Sequence, residues 1–268
     1  MKIALCHLDL SMGPQEKNIE KLCRAVEMAG ERGAEWTITP ETAVQGYHFY
    51  KTNPAQRLPE QPEPGLVPLL ESVKQYKQYL FLGAGEYDTD THCNFNTCFV
   101  FGPDGTLLSR HRKNHSHEFG AENWVKNDTS VRTVVCSNVK VGPLVCADSW
   151  YIEDGPMRLE KEGARILLDI AAWPVSKECG DPRPVWEKCS LQTGLPLIVC
   201  NQTGKNQWID FTLAESVYVE EGKAKLAYKG KERYFCLSGM KKREKETLMP
   251  LLSYHFIDER KPYIRRKK

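Results

Sequence analysis

KIALCHLDLSMGPQEKNIEKLCRAVEMAGERGAEWTITPE (residues 2–41) is the stretch that decides the fold class. Its first eight residues, KIALCHLD, form a short apolar run broken by His7 and Asp9, which reads as a buried strand. A helix starts at Pro14 and runs to about Gly30, setting Ile19, Leu22, Cys23, Val26 and Ala29 on one face. WTITPE (36–41) is a second short strand, stopped at Pro40. Strand, helix and strand in so little chain make a βαβ unit, which requires a right-handed crossover beside a sheet. The class is α/β.

Downstream the alternation continues. Residues 51–65 are polar and proline-bearing and read as a surface loop, followed by a helix over 66–79. YLFLGAGEYD and NTCFVFGPDGTLLSR are strands, with a tight turn at GPDG. Periodicity then disappears in RHRKNHSHEFGAENWVKNDT (110–129) and returns in VRTVVCSNVKVGPLVCADSW, two strands closing at Cys146. A helix around 155–163, the strand ARILLDIAA, a helix around 184–193 and the strand LPLIVCNQ repeat the pattern, and a hairpin turns at Glu221 and Gly222. Several strands are too apolar to have a wet face, so helices must cover them. One doubly wound sheet and two stacked sheets both satisfy that periodicity.

No linker or low-complexity tract divides residues 1–240, which read as one domain, with 241–268 as a C-terminal tail. In the tail, the charged KKREKE and IRRKK flank the apolar LMPLLSYHFI, a pattern suited to packing on a partner subunit or to a surface strand. Across all 268 residues, 37 Lys and Arg against 35 Asp and Glu leave a net charge of +2, too little for nucleic acid as the main partner. No apolar run reaches the ~18 residues of a membrane span, and the opening residues read as a strand, not a signal peptide. Ten cysteines without a CxxC pair lie mostly in apolar runs, as reduced core thiols of a cytoplasmic protein would. There is no GxGxxG after the first strand, no GxxxxGK[ST], no GxSxG and no HExxH. Dinucleotide, nucleotide triphosphate, serine-triad and zinc-protease chemistry therefore lack their signatures, and no metal or organic cofactor is expected.

Three residues have positions that suit chemistry. Glu41 lies at the carboxyl edge of a strand, where open α/β folds place ligand groups, and burial would lift its pKa toward that of a neutral-pH base. Cys146 sits at the bend between VGPLVC and ADSW, the place hydrolases reserve for a nucleophile. Lys113 lies in the aperiodic segment, where a cation aimed into a pocket stabilises an oxyanion. From residue type alone, a helix-start acid, a packing thiol and a solvated charge run account for the same three.

Taken together, they resemble the Glu, Lys and Cys triad of the nitrilase superfamily of carbon–nitrogen hydrolases. The opening strand and helix, the Pro40-Glu41 motif ending in Gly46-Tyr47, HRKNH (111–115) and VGPLVCADSWYIE (141–153) match that family's motifs in register, over about residues 2–227. Departures are His111 for the usual Tyr and Ile152 for the usual Pro. The resemblance implies a four-layer α-β-β-α sandwich, commonly dimerised, and a cytoplasmic homodimer with its C-terminal residues 247–257 near the subunit boundary. It implies hydrolysis of a small linear amide or N-carbamoyl compound through a Cys146 thioester. Nitrile hydrolysis and acyl transfer to an amine are the alternatives on the same site, and a non-catalytic scaffold the alternative of another class. Glu41 would be the base, Lys113 and the Ala147 N–H the oxyanion donors, and a second glutamate would assist. Glu122 in FGAE is favoured for it over Glu118. Tyr47, Trp150 and Trp173, with Tyr151, are the expected pocket walls.

Overall fold

The computed structural model describes residues 1–117, 120–238 and 253–257. The opening unit is strand β1 (Lys2–His7), helix α1 (Gln15–Glu31) and strand β2 (Trp36–Ile38). A single turn α2 (Phe49–Thr52) and helix α3 (Val67–Tyr76) lead to β3 (Tyr79–Asp88), β4 (Cys93–Phe101) and β5 (Leu107–Arg112). After them come β6 (Val134–Cys136), β7 (Val139–Val145), α4 (Pro156–Lys161), β8 (Ile166–Ala171), α5 (Arg183–Thr193) and β9 (Leu197–Asn201). The last elements are β10 (Glu215–Glu220), β11 (Lys223–Lys229), β12 (Arg233–Ser238) and β13 (Ser253–Ile257).

Strand periodicity explains the layers. Along β1, Ile3 and Leu5 point one way and Ala4 and Cys6 the other, and all four are buried. Ala4 and Cys6, with Leu80, Leu82, Phe99 and Phe101, pack on Ile19, Leu22 and Val26 of α1 and Leu69 and Val73 of α3. Ile3 and Leu5, with Ile38, Phe81 and Val100, share a second core with Val141, Leu144 and Ile166 of the opposite sheet and Trp186 and Cys189 of α5. A strand buried on both faces must read as a continuous apolar run, as KIALC does.

The seven-stranded sheet has the order β13-β12-β1-β2-β3-β4-β5, and the six-stranded sheet β11-β10-β9-β8-β7-β6. Parallel pairing is confined to β1-β2-β3 and β7-β8-β9, the two places where helical crossovers occur. Two stacked sheets covered by helices give the four-layer α-β-β-α sandwich, and the choice left open by periodicity falls to two sheets.

Differences from the sequence expectations are local. β12 was not anticipated: it lies antiparallel to β1, Lys2 opposite Ser238 and His7 opposite Arg233, and a pairing so distant in sequence has no local signature. Arg110–Arg112 belongs to β5, so the irregular segment begins later than expected. Cys146 opens a 3-10 turn (Cys146–Ser149) instead of closing β7. Most of the tail and Glu118 lie outside the described residues. Ser253–Ile257 is an edge strand antiparallel to β12 in the chain's own sheet.

Candidate active site

The chain leaves β2 at Ile38 and bends through Pro40 toward the second sheet. Gly83 on the neighbouring β3 makes room for that bend, because a Cβ there would stand 2.1 Å from the Pro40 carbonyl oxygen and 3.0 Å from the Glu41 Cα. The bend bridges the sheets. Glu41 N–H donates to the Ala171 carbonyl (3.4 Å) at the end of β8, and Gln202 Nε2 donates to the Glu41 carbonyl (2.8 Å). The Glu41 side chain is wholly buried. Its Oε2 accepts the Ala172 N–H (2.8 Å), and its Oε1 accepts from Asn96 Nδ2 and Lys113 Nζ, both at 2.7 Å.

Lys113 follows β5 directly, and its N–H donates to the Asn96 carbonyl of β4 at 2.8 Å. Strand alternation sorts the basic motif. Arg110 and Arg112 turn outward to Glu86 and Asp88, while His111 and Lys113 turn inward and are buried. His111 meets Asp148 at 2.9 Å, and the same carboxylate accepts the N–H groups of Asn114, His115 and Val145. Asp148 thus ties the lysine segment to the Cys146 turn. Lys113 Nζ also donates to Glu122 Oε1 at 2.5 Å, and Glu122 Oε2 accepts the His117 N–H at 3.0 Å.

The result is one ammonium between two buried carboxylates, with Asn96 Nδ2 bridging the same two (3.1 Å to Glu122). Burial opposes the lysine charge, but Glu122 and Glu41 outweigh it and hold the ammonium well above its ordinary pKa. For Glu122, burial raises the carboxyl, but Lys113, the His117 N–H and the neighbouring Glu41 together leave it below its ordinary value. Burial dominates at Glu41 and lifts it to about 7 despite the lysine. Burial at Glu41 and the lysine at Glu122 thus push two neighbouring carboxyls in opposite directions.

Cys146 is nearly buried and adopts φ +54, a conformation non-glycine residues rarely hold, which turns the chain out of β7. Its N–H donates to Asp169 Oδ1 at 2.5 Å, and Ser149 Oγ donates to its carbonyl at 2.9 Å. Burial, then Glu41, push the thiol pKa well above 9, with Lys113 opposing. At rest the sulfur is a thiol, and a base must take its proton before it can attack.

Glu41, Lys113 and Glu122 are therefore in contact, and Cys146 and Tyr47 lie within reach of their charges. Tyr47 is buried against Phe211 and Ala172. Trp173, next to Ala172, stacks on Trp150 with centroids 5.8 Å apart, and Trp150 is 56% exposed. Tyr151 is 47% exposed and stacks on His115. Ala147 is buried in the 3-10 turn. Sequence reasoning missed Asn96 and Asp169, and met Asp148 only as a motif position without a role. The polar residues inside the apolar strands CNFNTCFVF and ILLDIA, and the acid two places after Cys146, were the available signals.

Comparison with known proteins agrees with this geometry. The carbon-nitrogen hydrolase family model matches residues 2–231. The omega-amidase NIT2 of Homo sapiens is 32% identical over 176 residues, covering 62% of each chain, and NIT2-B of Xenopus laevis is 33% identical over 160 residues, covering 56% of each. The matched stretch thus spans less than two thirds of these relatives. Nit3 of Saccharomyces cerevisiae superposes with a TM-score of 0.77 at 18% identity, covering 97% of this chain and 90% of that one. An amidase from Nesterenkonia sp. gives 0.77 at 19% identity, covering 88% of this chain and 89% of that one. By a family match over most of its length and by its four-layer sandwich, this chain belongs to the carbon–nitrogen hydrolase family.

Proposed function

We propose that the chain hydrolyses the C–N bond of a small linear amide or N-carbamoyl compound through a thioester on Cys146. The observation that carries this reading is the Lys113 ammonium clamped between Glu41 and Glu122 beside a buried thiol. Glu41, lifted to about 7, accepts the thiol proton as sulfur attacks the carbonyl carbon. The developing oxyanion meets the Lys113 ammonium and the Ala147 N–H, donors worth ~3 kcal/mol each in such sites. Collapse breaks the C–N bond, and Glu41 returns its proton to the leaving nitrogen as ammonia or an amine. Water then loses a proton to Glu41 and attacks the thioester, releasing the acid and restoring the thiol.

Glu122 serves as the standing counter-ion that keeps Lys113 charged and aimed. Asn96, by bridging both carboxylates, fixes their spacing. Tyr47 and the stacked Trp173 and Trp150 form the walls on which the acyl group rests, and the exposed face of Trp150 lies nearest solvent. The curated relatives named omega-amidases support an amide over a nitrile. Nine of the ten cysteines, Cys236 aside, are free thiols, which suits a reducing compartment such as the cytoplasm. Incubation with a panel of small amides and carbamoyl compounds, with and without hydroxylamine, tests the reading. Ammonia release without the acceptor supports hydrolysis. Hydroxamate formation with no release in water would replace it with acyl transfer, and silence throughout would remove the activity.

A further inference from the structure

We propose that Asp169 is a positioning residue for the nucleophile: its carboxyl oxygen holds the Cys146 N–H and so fixes the turn that presents the thiol. This rests on Cys146 being the nucleophile of the reading above. Asp169 lies in the middle of β8, opposite Leu144 of β7 and Val199 of β9, and every other residue of that strand is apolar and buried. The carboxyl itself is wholly buried. Its Oδ1 accepts the Cys146 N–H at 2.5 Å, while its Oδ2 has no hydrogen-bond partner. Among the described residues no cation pairs with it.

A buried carboxyl with one idle oxygen costs stability relative to the leucine or valine that suits the rest of the strand. What it supplies in return is contact with the nucleophile turn: the Cys146 N–H, on the residue at φ +54, and the Ser149 hydroxyl of the same turn. Without that acceptor, extended backbone continuing β7 becomes the easier course for Cys146, and it would carry the sulfur away from Glu41 and Lys113. Ser149 Oγ holds the carbonyl of the same residue, so the nucleophile's backbone is gripped on both sides. With the Cys146 N–H committed inward, the Ala147 N–H is the next donor along the turn for an oxyanion. Burial also pushes the Asp169 carboxyl well above the usual range, which makes asparagine, with an oxygen in the same place, its nearest mimic.

The test uses the full chain as wild type, Asp169→Asn and Asp169→Leu. Alkylation of Cys146 by iodoacetamide is followed by peptide mass spectrometry from pH 5 to 10, beside thermal melts. In wild type the rate should climb through a limb near pH 7, where Glu41 begins to accept the proton. Asp169→Asn should keep that limb and a rate within about threefold. Asp169→Leu should melt no lower than wild type, yet react at least tenfold more slowly at pH 7, with its limb moved toward that of an unassisted thiol. Should the leucine variant fail to fold, Asp169→Ser replaces it, since its hydroxyl stops short of the N–H. A wild-type profile in the leucine or serine variant overturns the proposal, as does an asparagine variant that falls equally far. Wild type alkylated first at another cysteine overturns the nucleophile assignment and this inference together. Absence of amide turnover with the expected alkylation pattern would sink only the substrate reading.

Discussion

Replacing Lys113 with methionine removes one charge and keeps most of the side chain's bulk. Two buried carboxylates, each within 2.7 Å of the lost ammonium, are then left among the described residues with Asn96, the Ala172 and His117 N–H groups and each other. Breaking a buried pair in this way costs about 3–5 kcal/mol at neutral pH. For a chain of this size that corresponds to a melting temperature lower by roughly 5–9 °C. The loss should also grow as pH rises. In wild type, Lys113 holds Glu122 below its ordinary value, so the stability Glu122 contributes is present above its unfolded pKa and is lost as pH falls through the folded one. Without the lysine, burial dominates and raises Glu122. Its favourable contribution is then present below the unfolded pKa and is lost as pH rises through the folded one. Thermal melts from pH 4 to 8 read this as a variant least destabilised in acid and most destabilised at pH 8. Turnover should fall at least a hundredfold, because a developing oxyanion loses its cation, and Lys113→Arg should not restore it, since the guanidinium fork is larger and differently directed. A variant that melts with the wild-type pH dependence and keeps turnover within threefold would refute the reasoning and return Lys113 to a structural role.

Other perturbations reach the same cluster from different sides. With Glu41 lifted to about 7, kcat/KM should rise with pH through that region, because the protonated acid cannot accept the thiol proton, and a flat profile from pH 5 to 8 would contradict its role as base. Glu122→Gln should cut turnover at least tenfold while Glu118→Gln leaves it nearly unchanged, and the reverse order in the same assay would transfer the role. Gly83→Ala should lower both melting temperature and turnover, by about 1–3 kcal/mol in stability, because the added methyl meets the Pro40 carbonyl at 2.1 Å and moves Glu41. An alanine variant that melts and turns over like wild type would mean that the bend relaxes without carrying Glu41.

How much of this was legible depended on whether the signal was local. β1, α1 and β2 announce themselves because each is a periodic apolar run bounded by proline or glycine, and each was expected within a few residues of where it lies. Strand ends made Glu41 and Cys146 candidates beside plainer readings, and the resemblance of their motifs to a family singled them out. Lys113 was harder, because strand alternation between outward arginines and an inward lysine looks like a plain charge run when the flanking strand is not recognised. β12 was invisible for a different reason, since it completes a sheet by pairing with the first strand, and nothing in KERYFCLS names that partner. Asn96 and Asp169 are the instructive misses. Asp169 is the one polar residue of an apolar strand and Asn96 a wholly buried amide in β4, local conflicts that stability alone does not favour, and each touches a residue of the site.

The central claim is that Cys146 carries the acyl group, and the most direct measurement is intact-protein and peptide mass spectrometry on wild type quenched during turnover of a slow amide. The account predicts an added mass equal to the acyl group, found on the peptide that contains Cys146, cleared on longer incubation and trapped as hydroxamate by hydroxylamine. Cys146→Ala should fold normally, show no adduct and lose activity by several orders of magnitude. An acyl adduct on a different cysteine, or undiminished turnover by Cys146→Ala, would contradict it.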